Sequence, residues 1–148
     1  MARVKPKSKA TGTNPKDLFG SVKVSFSKIP AFALAHEAMA MGDGADRYGP
    51  YNWRDKPVIA SIYVDANFRH VLDWWEGQTF AKDSKTHHLG HARACLGILL
   101  DAEAHGALVD DRPFTDPEAF DRLLDQLSET IKERKAERAA AKKKGKRK

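Results

Sequence analysis

The sequence is short of the features that announce most chemistries. It has one cysteine in 148 residues, Cys95, which lies in an apolar run read as helix core, so an internal disulfide framework is excluded and a reducing compartment fits. It has no C-x-x-C metal pair, no G-x-x-x-x-G-K-[ST] phosphate loop and no G-x-S-x-G elbow, which argues against a P-loop and against a serine or cysteine nucleophile. No stretch approaches the roughly 18 consecutive apolar residues of a membrane span, and the lysine-rich start is not a secretory signal, so the expectation is a cytoplasmic chain without membrane contact. Alternating strand patterns are nearly absent too, and no internal repeat is visible.

Acidic groups are missing from both ends. Residues 1–16 carry five basic and no acidic groups, and residues 132–148 carry ten basic and two acidic ones, so a chain of net charge +6 has a central segment, 17–131, at −7. Net charge speaks to solubility and non-specific association rather than to fold. The arm 1–16 and the tail 132–148 therefore read as disordered, solvated basic segments, with weak nucleic-acid contact as their alternative use, around one helical domain at 17–131.

The helical signals are local. Pro30 suits the first turn of a helix over about 31–47, because its missing N–H has no partner there anyway. Gly49–Pro57 reads as a loop, and a second helix runs from about 58 to a stop at Gly77. Asp83 or Ser84 is the expected cap of a third helix over 85–105. Asp116-Pro117-Glu118 opens a fourth, amphipathic helix with Phe120, Leu123, Leu124, Leu127 and Ile131 on one face, its charged end fraying into the tail. VKVSF at 22–26 is a short extended piece. The fold class is all-α, a small bundle of about four helices.

Short connections make neighbouring helices antiparallel, and a rise of about 1.5 Å per residue then allows a count of levels. The count puts Glu37, His70, Asp73, Glu76, His88 and His91 together. Asp73 and Glu76 are related by i, i+3, as are His88 and His91, so each pair can face one ligand. Buried carboxylates need compensation that a divalent cation supplies; Mg²⁺ prefers oxygen and water, while imidazole admits Mn²⁺ or a transition metal. His87, rotated away from His88, reads as a cap or surface residue. In GADRYGPYNWR (44–54), Arg47 and Arg54 offer forks for phosphate, Tyr48 and Trp53 offer ring faces, and Asn52 can read a base edge. Arg69, on the face of Asp65 and Asp73, can also reach a phosphate. The chemistry these groups suit is metal-assisted attack of water on a nucleotide.

GADRYGPYNWR, YVDANFRHVLDWWEG and KDSKTHHLGHARACLGILLDAE, in that order, resemble the phage-associated dATP/dGTP diphosphohydrolase N-terminal domain family, relatives of the MazG-like all-α nucleotide pyrophosphohydrolases. The resemblance covers about residues 13–113. It implies cleavage of a purine deoxynucleoside triphosphate, dGTP or dATP, to the monophosphate and pyrophosphate with Mg²⁺ or Mn²⁺, shaping a phage nucleotide pool in the host cytoplasm. It also implies a homo-oligomer. MazG-like enzymes hold metal with E-E-x-x-E and E-x-x-D runs; here D-W-W-E and H-L-G-H stand in those places.

The combined expectation names Glu37, His70, Asp73 and Glu76 as catalytic. It places Arg47, Tyr48, Asn52, Trp53, Arg54 and Arg69 on the substrate, and Glu37, Asp73, Glu76, His88 and His91 on metal. The competing readings are a small nucleic-acid-binding accessory protein acting through its basic ends and a metal-dependent nuclease; the acidic centre of the chain speaks against both.

Overall fold

The computed structural model describes Lys16, Gly20 and residues 23–113 and 116–145. The basic arm expected over 1–16 lies, apart from Lys16, outside the described residues, as does the end of the tail at 146–148. The elements run as a 3-10 turn Phe26–Lys28, α1 Ala31–Tyr48, a four-residue α2 Asn52–Asp55, β1 Val58–Ile59, α3 Ala60–Trp75, α4 His88–Ala104, β2 Leu108–Val109 and α5 Pro117–Gly145. The chain is all-α with four long helices, as the sequence suggests.

Five features differ from expectation. The second helix starts at Ala60 because Val58 and Ile59, β-branched and suited to extended backbone, pair in parallel with Leu108 and Val109. The 49–57 loop contains one turn of helix at Asn52–Asp55. The third helix starts at His88 because Lys85 sits in left-handed backbone, φ +57°, which no α-helix continues through. Val24 and Ser25 form no strand and lead into the 3-10 turn. The last helix runs on to Gly145, so the boundary drawn at 131/132 falls inside one continuous helix whose basic end complements its C-terminal dipole.

α4 is the central element, and α1 and α3 both pack on it. Partner numbers rise together between α1 and α4, since Gly90 meets His36 while Gly97 lies beside Glu37 and Met41, so these two helices are parallel. They fall against each other between α3 and α4, where Asn67 Nδ2 donates to the Ala92 carbonyl and His70 meets His88, so that pair is antiparallel. The buried apolar residues are small: Ala40, Val58, Ala60, Ala81, Ala92, Ala94 and Ala102. Small residues bring backbones close rather than filling space between them. At Gly90 an added Cβ would stand 2.5 Å from the His36 carbonyl oxygen and 2.9 Å from its carbon. α5 leaves its apolar face, Phe120 to Ile131, about half exposed.

Gly90→Ala should therefore destabilise the protein by about 1–3 kcal/mol, the usual range for forcing atoms into a filled contact. Gly42→Ala, inside α1 with no atom within 4 Å of the new Cβ, should stabilise by about 0.5–1 kcal/mol. Urea unfolding of the two variants beside the wild type measures both signs; equal midpoints would contradict the close α1–α4 approach.

Candidate active site

Because α1 and α3 lean on α4 from two sides, a cavity of about 400 Å³ opens between them. α4 supplies its floor through His91, Ala94, Cys95 and Ile98; α1 supplies Asp43, Gly44, Arg47 and Tyr48; α3 supplies Ile62, Tyr63, Ala66 and His70. Asn52 and Trp53 close one wall and Asp83 reaches in from the loop before α4. The volume lies in the range of small-molecule sites.

The histidines gather where α3 crosses the start of α4. His70 Nδ1 and His88 Nδ1 are 3.0 Å apart, and His88 Nδ1 is 3.8 Å from Asp73 Oδ2. His91 stacks on His70 with centroids 4.6 Å apart and is anchored by Ser84 Oγ, 2.8 Å from its Nε2. His87 caps α4, its Nδ1 accepting from the Leu89 N–H. His88 is buried, and its Nε2 has no hydrogen-bond partner, a cost of about 1–3 kcal/mol for such a group.

His70, Asp73 and His88 bring one ligand atom each to within 4.8 Å of one another. Two imidazole nitrogens 3.0 Å apart and a carboxylate oxygen 3.8 Å from one of them are close enough to share one ion with bonds of about 2.1 Å after a small side-chain shift, so this donor set suits a divalent cation. Two nitrogens and one oxygen favour Mn²⁺ or a later ion over Mg²⁺. Burial lowers the pKa values of His70 and His91, with neighbouring imidazoles pushing the same way, so at neutral pH both are in the uncharged, metal-binding form.

The expected site residues separate into groups. Glu37 was expected near residues 67–70 and on one level with His88 and His91; it lies further along α4, its Oε2 accepting from both Nε and Nη2 of Arg93, at 3.1 and 2.7 Å, and its Oε1 beside Gly97. Its face of α1 points to α4, and it lies outside the His70–Asp73–His88 group. Glu76 is exposed at the C-terminal cap of α3, also outside that group. The count misses His88 by one turn: it meets His70 and Asp73 rather than Asp73 and Glu76. Arg47, Tyr48, Asn52 and Trp53 line the cavity. Arg54 does not; its Nε and Nη2 donate to Asp101 at 2.7 and 2.8 Å. Arg69 is exposed and outside the lining, and no ion pair joins it to Asp65.

Other residues enter that the sequence reading passed over. Arg47 Nη2 is shared between Asp43 Oδ1 and Asp83 Oδ2, each at 3.2 Å. The D-x-x-x-R spacing of Asp43 and Arg47 is a visible signal; Asp83, expected with Ser84 only as a helix cap, a place His87 takes, has none for this contact because a loop brings it there. Asp101 and Tyr63 were also unsignalled. The Tyr63 hydroxyl and the Cys95 thiol are both raised in pKa by burial, so Cys95 remains a neutral thiol and no nucleophile.

A family model described as dATP/dGTP diphosphohydrolase, N-terminal, matches residues 13–112. The chain belongs to this family. The match contains α1 through β2 and with them every residue of the cavity and the histidine cluster, while α5 falls beyond it. No curated protein and no solved structure matches the chain. The diphosphohydrolase family thus coincides with the packed three-helix unit.

The lowered imidazoles make stability depend on pH with a definite sign. His70, His87 and His91 all have folded pKa values below the ordinary 6.5, so the unfolded chain binds more protons and stability falls on acidification. The loss should begin near pH 6.5 and level off once the folded-state values are passed. Thermal melts with chelator present, from pH 8 to 5, should show this fall, and His91→Gln should flatten it; a pH-independent midpoint would contradict neutral imidazoles.

Proposed function

We propose that the chain hydrolyses a purine deoxynucleoside triphosphate, dGTP or dATP, to the monophosphate and pyrophosphate, with a divalent cation at His70, Asp73 and His88. The observation that carries this reading is a cavity lined by Tyr48, Trp53 and Tyr63 as well as by His70 and His91, with His88 and Asp73, the other members of the candidate metal group, next to His70 and outside the lining. Tyr48, Trp53, Tyr63, Ile62 and Ile98 offer flat and apolar surface for a base, and Asn52 a polar edge. Arg47 is the one guanidinium among the lining residues, against the carboxylates of Asp43 and Asp83. A bare triphosphate meets more repulsion than attraction there, so it enters with cations.

The protein's own groups then have separate tasks. Arg47 can exchange one carboxylate for a phosphate oxygen, since the same Nη2 serves both Asp43 and Asp83. His91, stacked on His70 and held by Ser84, fixes the plane of the His70 ring. Ala94, Cys95 and Ile98 give the floor an apolar surface on which a base can rest. A bound cation would supply charge neutralisation on the phosphates and a lowered pKa for a coordinated water.

Assaying pyrophosphate release from the eight common nucleoside triphosphates, with Mg²⁺, Mn²⁺ or chelator, tests the reading. Purine deoxynucleotides should lead, turnover should need metal, and His88→Gln and Asp73→Asn should each lower kcat/KM by about 10²-fold or more, of the order seen when a metal ligand or its support is lost. Arg47→Met should act mainly on KM. No metal-dependent pyrophosphate release from any nucleotide removes the proposal.

The continuous helix through residues 132–145, with seven basic residues, favours a second use: weak, salt-dependent contact with nucleic acid. Truncation after Ile131 should abolish such binding in low-salt gel shifts and leave nucleotide turnover within about threefold, because all cavity residues precede it.

A further inference from the structure

We infer that Asp101 is a positioning residue for the nucleotide cavity: its carboxylate fixes Trp53 as the cavity wall and ties Arg54 away from the phosphates. The inference rests on the nucleotide reading given above. Trp53 Nε1 donates to Asp101 Oδ2 at 2.6 Å, Arg54 Nε to the same oxygen at 2.7 Å, and Arg54 Nη2 to Oδ1 at 2.8 Å. One carboxylate from α4 therefore takes three donors from two adjacent residues of α2. Asn52 and Trp53 line the cavity, whereas Arg54 and Asp101 do not, so the carboxylate acts through the wall and not on the ligand.

The segment has little else to hold it. α2 has four residues, too few to be stable alone, and its N-cap, Tyr51, makes no side-chain capping bond. Tyr51 itself lies at φ +56° and the preceding Gly49 at +91°, two left-handed residues in a turn that changes direction sharply after α1. Among the described residues, every side-chain hydrogen bond leaving residues 50–56 ends on Asp101. The Arg54 guanidinium also covers the Tyr51 ring at 4.6 Å, and Tyr51 meets Trp53 at 5.4 Å, so the three side chains form one packed unit around the anchored pair. Such charge-assisted bonds are stronger than neutral ones, and a bidentate arginine fixes angle as well as distance.

Of the two arginines in R-Y-G-P-Y-N-W-R, Arg47 then touches substrate and Arg54 does not. Asp101→Asn keeps the size of the side chain but turns one acceptor into a donor facing Arg54. Hydrogen–deuterium exchange on the full chain should show faster exchange confined to residues 49–57. Steady-state assays should show KM for dGTP and dATP raised about tenfold with kcat within about threefold. Arg54→Gln combined with Asp101→Asn should be no worse than Asp101→Asn alone, and Trp53→Phe, which deletes only the indole N–H donor, should loosen the same segment less. Unchanged exchange at 49–57, exchange raised equally over α1, α3 and α4, or a fall in kcat at constant KM would each overturn the assignment. If the wild type turns over no nucleotide, the functional reading fails, and the exchange pattern still decides whether Asp101 holds the wall.

Discussion

The close approach of α1 to α4 is the constraint on which the rest depends. Gly90, Ala94 and Gly97 present almost no side chain on one side of α4, so α1 settles with its backbone against it at His36. α3 takes another side of α4 through Asn67 and His70. With both helices committed to the same central element, the space between them has to be lined rather than filled. A core built from alanines is a poor source of hydrophobic stabilisation per residue, yet it is what allows a three-helix unit of this size to keep a cavity of 400 Å³.

The polar groups follow from that geometry. Imidazoles tolerate partial burial because they lose their charge near neutral pH, whereas carboxylates in the same positions would carry uncompensated charge. His70, His88 and His91 sit at the crossing of α3 and α4, where water is scarce, and Asp73 sits at its more exposed margin. The carboxylates less exposed than Asp73 each have a cation: Glu37 has Arg93, Asp43 has Arg47, which the more exposed Asp83 shares, and Asp101 has Arg54. Asp73 has imidazole beside it and, among the described residues, no arginine or lysine ion pair, which is why the proposed cation is assigned to the cluster and not to the ion pairs.

The long helices and part of the candidate site were legible in the sequence, because both are written in local spacing. Pro30, Gly49 and Gly77 mark ends that the structure keeps, and His70 and Asp73, one turn apart on α3, share a face, while Glu76 does not join them. What spacing does not carry is rotation about each helix axis. The side of α1 on which Glu37 lies is decided by Gly97 leaving room for its carboxylate and by Arg93 receiving it, away from the histidines. Asp101 and Asp83 were silent for a related reason, since each meets its arginine across a turn and a loop that the sequence does not describe. The start of α4 moved because a single left-handed residue, Lys85, interrupts the helix, and nothing about a lysine announces that backbone.

The two arginines of one short motif show how much a single carboxylate decides. Seven residues apart, Arg47 and Arg54 offer the same fork to a phosphate. Arg47 rests at 3.2 Å from each of two acids, sharing one nitrogen between them, an arrangement that leaves its other donors directed elsewhere and its position adjustable. Arg54 gives two nitrogens to one carboxylate at 2.7 and 2.8 Å, and that partner's pKa is held far below the usual carboxylate range by Arg54 first and Trp53 second. Moving Arg54 onto a ligand would break both bonds and strip Trp53 of its acceptor's orientation, while moving Arg47 costs one of two long contacts. Bond geometry thus divides the motif: Arg54 is fixed to Asp101 behind the cavity wall, and Arg47 is the guanidinium that, on the proposed reading, a ligand would meet.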